Sequence, residues 1–389
     1  MTYKNALLKR RLEFAGMLPF VLLGKLYSKI FPLHNYTSVF LFFSSADLGG
    51  AIKVNADIAN CISSKDPLII FSKKPKNNGY LNLFEGFQIL DLHKKVDNKL
   101  YHFVNFFYRG VLAGWINSSK NAIVFGGETL FFYKILPHLK KDVRRIELCH
   151  LDTWFPYSIG FIDLINYRIF STKKLKEDVI LQYKKNNIAQ YFFERLHFIE
   201  NKITIPPYIE TNNSKLEVVF IGRGAPQKRI YLIAAIAKKL HEMDQPVHFS
   251  FVGDVEKVIA IDEFPYCTFY GNVKDEKLMT TIYQQSDVLI LTSAYEGLPI
   301  VVMEMMAYGK VVLSTAVNGI PDYITHVQNG LLINATEEKN IVNEGVDLLK
   351  LLIKDPLLKI SLGKKSREIA IQKFNGELFC SEYNKLLNN

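Results

Sequence analysis

Cysteine is scarce and scattered in this chain of 389 residues. Cys61, Cys149, Cys267 and Cys380 lie far apart and include no CxxC pair. Isolated cysteines of this kind predict neither a disulfide framework nor a zinc site, and they are typical of proteins in a reducing cytosol. The chain also lacks an acidic cluster with metal-ligand spacing, so we expect no bound metal.

A long apolar run is lacking as well. The segment from Phe14 to Gly24 is too short to span a bilayer and contains Pro19. It follows the basic residues Lys9, Arg10 and Arg11. Three interpretations stay open: a signal or anchor segment, an amphipathic segment that touches a membrane, or a helix packed on its own domain.

Positive charge is concentrated in the first half of the chain. Residues 1–210 contain 29 Lys and Arg against 17 Asp and Glu, a net charge of +12, whereas residues 211–389 contain 19 against 21, a net charge of −2. A basic half attracts nucleic acid, an anionic membrane surface or a phosphorylated substrate. Because no helix-turn-helix, zinc-finger or RNA-binding signature is visible, we expect no nucleic-acid partner.

Strand and helix patterns alternate along the chain and predict an α/β protein with two doubly wound domains. Short apolar runs that predict buried strands lie at 37–43, 67–71, 122–127, 144–150 and 167–172, and then at LEVVFIG, VHFSFVG, CTFYG, DVLILT and VVLS. Between Ile203 and Lys215 the composition shifts to Pro, Asn, Thr and Ser, which indicates a domain boundary. We therefore predict one domain at 1–210 and another at 211–370, with a C-terminal helix at 371–389 that packs back on the first domain.

The stretch SAYEGLPIVVMEMMAYG, at 293–309, follows the predicted strand DVLILT. Its proline and its final glycine predict a helix over 299–308. The backbone N–H groups of 297–302 then form an anion site at the helix N-terminus. Beside such a site, Glu296 and Glu304 are suited to accept hydrogen bonds from the hydroxyls of a ribose or a sugar ring. This stretch therefore predicts a nucleotide-sugar ligand.

Basic residues follow the first predicted strand of the second domain, in IGRGAPQK at 221–228. Arg223 and Lys228 lie at the carboxyl edge of that sheet, where open α/β folds bind ligands, and together they can neutralise a diphosphate. An exposed basic turn is the alternative. In the first domain, Gly49 and Gly50 separate a predicted strand from a predicted helix, which indicates either another phosphate cradle or a tight turn without a ligand.

The motifs FIGRGAPQK, FVGD, FYGNV, SDVLILTSAYEGLPIVVMEMMAYG, VNGIPDYI and NGLL occur in this order across about residues 216–334. Together they resemble the C-terminal domain of the retaining glycosyltransferases of family 4, and a weaker resemblance covers 37–200. The resemblance implies the GT-B fold, in which two Rossmann-like doubly wound domains face each other across a cleft. It also implies transfer of a sugar from a nucleoside diphosphate sugar, with UDP favoured, to an acceptor hydroxyl, with retention of configuration and without a metal or other cofactor.

The same resemblance implies roles for the matching residues. Glu304 would bind the ribose, Glu296 would face the donor sugar, and Arg223 and Lys228 would grip the diphosphate. His150, after a strand of the first domain, would reach the donor sugar; a structural role is the alternative for this histidine. The further donor contacts are Gly50, Val273, Gly297, Leu298 and Val301, and the further polar candidates near His150 are Asp47 and Asp152.

Two positions depart from the pattern of the family. Arg229 follows the lysine where the family usually has glycine, and the residues after the glycine pair, 51–53, are Ala, Ile and Lys. We therefore expect an unusual acceptor side.

Two other functions stay open: a sugar-nucleotide epimerase of similar fold, which needs no acceptor, and a non-catalytic nucleotide-sugar-binding protein. For a transferase, the basic first domain favours a glycan or lipid-linked acceptor. The expected location is the cytoplasm, peripheral on the inner face of the plasma membrane, where the anionic lipid surface is a further partner.

Overall fold

The computed structural model describes residues 1–33, 37–97 and 102–388. They form two compact units, Met1–Ile199 with Glu377–Asn389, and Glu200–Gly376. The division falls before the predicted boundary at 210, because the connecting segment is bonded to the second unit. There, Ile203 N donates to Phe374 O at 3.3 Å, and Thr211 Oγ1 donates to Asp287 Oδ1 at 2.8 Å.

The first unit contains a parallel sheet of seven strands. They are β1 Val39–Phe43, β2 Leu68–Phe71, β3 Gln88–Asp91, β4 Ile123–Gly126, β5 Arg144–Cys149, β6 Tyr167–Phe170 and β7 Leu196–Phe198. Their order in the sheet is β3-β2-β1-β4-β5-β6-β7. The helices of this part of the chain are α1 Tyr3–Ile30, α2 Gly50–Cys61, α3 His93–Val96, α4 His102–Ser118, α5 Leu130–Ile135, α6 Phe155–Ser158 and α7 Lys173–Lys185.

The second unit repeats this architecture with six parallel strands. They are β8 Leu216–Ile221, β9 Val247–Val252, β10 Thr268–Gly271, β11 Val288–Leu291, β12 Val311–Thr315 and β13 Leu331–Ile333. Their order is β10-β9-β8-β11-β12-β13. The helices are α8 Ile230–Glu242, α9 Glu276–Gln285, α10 Ile300–Ala307, α11 Glu338–Lys354 and α12 Pro356–Lys373, and the last helix of the chain, α13 Gly376–Asn388, follows them.

Central strands of both sheets are buried along their whole length. Every residue of β1, with the sequence VFLFF, and of β11, with the sequence VLIL, is buried. Continuous apolar sequences of this kind are required where helices cover both faces of a parallel sheet. The strand order reverses direction between β1 and β4 in the first sheet and between β8 and β11 in the second. Each unit therefore has a topological switch point, the place where doubly wound folds bind ligands.

Helix α1 packs one of its faces closely on α4. A Cβ added at Gly24 would lie 2.1 Å from Phe107 O, and one added at Gly110 would lie 2.1 Å from Val21 O. The two backbones therefore touch at these glycines. The N-terminal segment is therefore packed on its own domain along one face, and the prediction that it touches a membrane concerns its other face. None of the described helices combines the length and the apolar character needed to cross a bilayer.

Helix α13 is tied to the first unit by a disulfide between Cys61 and Cys380, whose Cα atoms are 5.0 Å apart. The prediction that the cysteines form no disulfide framework is therefore wrong, and the cysteine pattern gives no support to a reducing environment. The two cysteines are separated by 319 residues, and only the return of the C-terminal helix to the end of α2 brings them together. Spacing along the sequence carries no signal for such a pair.

Candidate functional site

The predicted donor residues of the second unit lie on both sides of its switch point. Arg223 and Lys228 follow β8, and Glu296 follows the neighbouring strand β11. The Lys228 Nζ atom forms an ion pair with Glu296 Oε1, and both side chains are largely buried, with exposed fractions of 12% and 7%. A hydrogen bond between two charged groups is stronger than one between neutral groups. The pair therefore holds a cation and a carboxylate at the same sheet edge, with the exposed Arg223 beside them.

Helix α10 begins one residue later than predicted. Pro299 is its N-cap, with φ −62° and ψ 134°, and the helix is followed by Gly309 at φ +72°. A φ near −65° suits proline in the cap as well as in the first turn, so the sequence could not separate the two positions. The first hydrogen bond at this end runs from Val302 N to Pro299 O at 2.9 Å. The Val302 N–H, predicted to belong to the anion site, is therefore used within the chain, whereas the N–H groups of Ile300 and Val301 precede this first helical bond. The anion site itself stays a prediction.

Glu304 lies on α10 and accepts a hydrogen bond from the hydroxyl of Tyr283. Tyr283 belongs to α9, and its ring stacks on that of Tyr308 with 5.1 Å between the centroids. The carboxylate predicted to bind ribose is therefore oriented by a tyrosine that sequence reasoning missed. A buried tyrosine on an amphipathic helix is usually a core residue, so nothing in the sequence distinguished this one.

The backbone conformation of Arg229 explains why the family usually has glycine at this position. Its backbone φ is +46°, in the left-handed region that favours glycine. The guanidinium donates from Nε to Thr292 O at 2.7 Å and from Nη2 to Ser293 O at 2.9 Å. These two bonds join the loop after β8 to the loop after β11, and each contributes about 1 kcal/mol, enough to offset about 1 kcal/mol of backbone strain.

The other predicted donor residues of this unit are spread along the same sheet edge. Gly297 and the buried Leu298 lie in the loop between β11 and α10. Val273 follows β10, three strands away from β11 in the sheet, a lateral distance of roughly 14 Å at the usual strand spacing. The structure therefore brings Gly297 and Leu298 next to Glu296 but places Val273 farther along the edge.

In the first unit, His150 follows β5, and its Nε2 atom lies 3.6 Å from the Glu128 Oε1 atom and 3.4 Å from Asn55 Oδ1. Glu128 also accepts hydrogen bonds from Asn55 Nδ2 at 2.7 Å and from Ser44 N at 3.1 Å. Burial lowers the pKa of His150, although the Glu128 carboxylate acts in the opposite direction. Gly50 is the first residue of α2, the helix that carries Asn55.

Glu128 is a functional candidate that sequence reasoning missed. It comes two residues after β4, beside the switch point of the first sheet. The strand AIVFGG was predicted, so the rule that ligands bind at the carboxyl ends of strands could have singled out this carboxylate. The roles of Gly50 and His150 towards a donor sugar stay predictions.

Asp47 has a structural role that accounts for its position near the glycine pair. Its Oδ1 atom accepts hydrogen bonds from the backbone N–H groups of Lys76, Asn77 and Asn78 at 2.8, 2.8 and 3.1 Å. Burial alone raises the pKa of this carboxyl, but these bonds and one from Ser45 lower it overall. Asp47 therefore fixes the 76–78 loop. Asp152, the other polar candidate, is exposed in a short turn after β5.

The sequence from 215 to 350 matches the family model described as glycosyl transferases group 1. The similarity to this family covers this segment of the second unit. The matched region contains the switch point of the second sheet, with Arg223, Lys228, Glu296 and Glu304. Within the described residues, no group of three or more His, Cys, Asp or Glu side chains is placed to hold a metal ion.

Curated relatives match part of the chain. The N-acetyl-alpha-D-glucosaminyl L-malate synthase of Bacillus anthracis is 23% identical over 210 residues, which is 50% of this chain and 51% of the relative. The poly(ribitol-phosphate) alpha-N-acetylglucosaminyltransferase of Staphylococcus aureus is 26% identical over 288 residues, which is 70% of this chain and 57% of the relative. The chain thus spans about half the length of these relatives.

The fold is shared with solved structures over nearly the whole chain. The pneumococcal O-GlcNAc transferase GtfA, solved in complex with UDP and GlcNAc, superimposes with a TM-score of 0.73 over 91% of this chain and 99% of that chain. At 14% sequence identity this likeness shows the fold alone. The predicted fold class is therefore confirmed: the protein has the GT-B fold, with two Rossmann-like α/β domains.

Proposed function

We propose that this protein is a retaining glycosyltransferase. It transfers a sugar from a nucleoside diphosphate sugar, with UDP as the favoured nucleotide, to a hydroxyl of a glycan or lipid-linked acceptor. The observation that carries the proposal is the convergence of Lys228, Glu296 and the N-terminus of α10 at the switch point of the second sheet. This is the edge at which doubly wound folds bind nucleotides.

The charges at this edge suit the departure of a nucleoside diphosphate. The bond between the anomeric carbon and the diphosphate oxygen breaks while the acceptor oxygen forms a new bond to that carbon, and the acceptor proton passes to the departing phosphate. Arg223, Lys228 and the first N–H groups of α10 stabilise the negative charge that grows on the diphosphate. Because these groups supply the positive field, the proposed mechanism uses neither a metal nor another cofactor.

The two carboxylates have different proposed partners. Glu304, oriented by Tyr283, accepts hydrogen bonds from the ribose hydroxyls. Glu296 faces the donor sugar, and its ion pair with Lys228, the proposed ligand of the diphosphate, supports this role. The names of both curated relatives, like the complex of GtfA, include N-acetylglucosamine, so UDP-N-acetylglucosamine is the first donor to test.

The proposed acceptor is anionic or lipid-linked, and the proposed place of action is the cytoplasmic face of the plasma membrane. The support is the net charge of +12 on residues 1–210. A positive field of this size raises the encounter rate with anionic polymers and with anionic lipid surfaces.

The test is a thermal-shift and turnover screen against a panel of nucleotide-sugars, with and without an acceptor. We expect one donor to stabilise the protein by about 2.7 kcal/mol at a concentration of 100 times its dissociation constant. Glu304→Ala removes the ribose contact and should weaken donor binding at least ~10-fold, because a lost charged hydrogen bond is worth about 1.5–3 kcal/mol. Lys228→Ala should lower kcat/KM about 100-fold, as expected for one charged contact to the transition state.

Lys238→Ala is the matched control, because Lys238 is exposed on α8 of the same unit. This substitution should change neither the affinity for the donor nor kcat/KM. Donor conversion without an acceptor would instead support an epimerase. Unchanged binding and transfer in the Glu304 variant would show that the site is assigned wrongly.

A further inference from the structure

Helix α1 has a fixed orientation on the first unit. Its buried residues include Met17, Val21, Gly24 and Ser28, which recur every three or four positions and so share one face. The contact of the Gly24 backbone with α4 leaves no room for the helix to roll. The side of α1 that faces away from α4 is therefore determined by the packing.

That outer side is unexpectedly apolar. The exposed large apolar residues of α1 and of the position after it are Leu8, Leu12, Phe20, Leu22, Leu23, Leu26, Tyr27, Ile30 and Phe31. At 100° per residue, Leu8, Leu12, Leu23, Leu26 and Ile30 point within about 60° of one another, roughly opposite the buried face. We call the exposed set the apolar stripe.

Aromatic rings from α4 widen the apolar stripe. Phe103 of α4 is half exposed, and its ring centroid lies 6.3 Å from that of Phe20. The ring centroid of Phe106 lies 6.1 Å from that of Phe20. Contiguous exposed apolar surface of this extent is uncommon on a monomer and indicates a contact with a protein or a membrane.

The charges beside the apolar stripe are positive. Lys4, Arg11 and Lys29 are exposed, and the helical spacing places all three along one edge of it. The sole acidic residue of α1, Glu13, is only partly exposed and accepts a hydrogen bond from Tyr157 at 2.9 Å. A second copy of this chain would bring further cations to this face, whereas an anionic bilayer supplies phosphates for the cations and acyl chains for the apolar stripe.

We propose that the apolar stripe of α1 lies in the surface of an anionic membrane, with Lys4, Arg11 and Lys29 at the lipid headgroups. The helix then runs parallel to the bilayer plane and does not cross it. Tyr27, with its apolar ring and polar hydroxyl, is suited to the boundary between headgroups and acyl chains. This surface belongs to the first unit and does not depend on the proposed donor site.

Vesicle flotation of the full chain tests this surface without any nucleotide-sugar. We expect the protein to float with phosphatidylcholine vesicles that contain phosphatidylglycerol at low salt. Binding should fall at least ~10-fold with pure phosphatidylcholine and at high salt, because each basic residue near an anionic surface contributes about 1 kcal/mol. Leu26→Glu should abolish flotation, since it places a charge in the middle of the apolar stripe.

Leu181→Glu is the matched control. Leu181 lies on α7 in the same unit and is 61% exposed, compared with 56% for Leu26, so both substitutions add one carboxylate to an exposed leucine. The control should float like the wild type, and both variants should keep the wild-type melting temperature. Absence of flotation at low salt, or equal loss in the two variants, would overturn the proposal. So would a dimer in sedimentation velocity that Leu26→Glu dissociates, because a second copy would then cover the apolar stripe.

Discussion

The stability of the first unit depends on whether the buried imidazole of His138 is protonated. Its ring stacks on Phe14 of α1 with 5.0 Å between the centroids, and Nε2 is buried without a hydrogen-bond partner in the described part of the chain. Burial, followed by the positive charges of Lys25 and Arg109, lowers its pKa from 6.5 to about 4. The folded state therefore binds fewer protons than the unfolded state between these two pH values.

We predict that the stability of the first unit is fully present above pH 6.5 and falls as the pH drops towards about 4. The loss from this residue is about 3 kcal/mol, from 1.36 kcal/mol for each pKa unit. Urea unfolding at neutral pH and near pH 4 measures it. His138→Phe keeps a ring beside Phe14 but does not titrate, so its stability should depend less on pH. An equal pH dependence in both proteins would contradict the assignment.

The site residues differ in how far the sequence could reveal them. Lys228 and Glu296 lie in motifs whose spacing predicts a loop after a strand, Glu304 lies in a motif that predicts a helix, and the structure places them there. Tyr283 and Glu128 lie outside any such motif. Their importance comes from side-chain contacts between elements distant in sequence, and a pattern along one chain holds no information on those contacts.

Disulfide Cys61–Cys380 makes α13 an element of the first unit. It closes a loop of 319 residues, and a cross-link over a long loop stabilises mainly by restricting the unfolded chain. We predict that dithiothreitol lowers the stability of the first unit by about 3 kcal/mol, measured by thermal or urea unfolding. Cys380→Ser should show the lower stability with and without reductant.

Cys267→Ser is the control for this prediction, because Cys267 is a free, partly buried cysteine in the second unit. It should retain the response to dithiothreitol. If dithiothreitol leaves the unfolding free energy of the wild-type protein unchanged, the disulfide has no stabilising role.

Most of the strands that could be predicted from the sequence have mainly apolar sequences. The strands β1, β2, β4, β5 and β6 and five of the second sheet were predicted within two residues of their ends. The missed strands are β3, which alternates between half-buried and exposed residues at a sheet edge, and β7 and β13, which have three residues each. Such short or edge strands are defined by pairing with a neighbour rather than by their own composition.

At the scale of the whole molecule, the charge difference follows the division into units. The basic part of the sequence forms the sheet that carries His150 and Glu128, and the near-neutral part forms the sheet that carries the proposed donor site. Each unit has its own parallel sheet and its own buried core. Units of this kind are able to unfold separately.

We therefore predict two transitions in calorimetric unfolding of the full chain. UDP should raise the midpoint of only one transition, because every proposed nucleotide contact in the family-matched region lies in the second unit. At 100 times its dissociation constant, the ligand stabilises that unit by about 2.7 kcal/mol. Dithiothreitol should lower the midpoint of only the first unit's transition, since Cys61 and Cys380 both belong to that unit. A single transition that responds to both reagents would show that the two units unfold as one cooperative body, and the donor site would then be coupled to the disulfide.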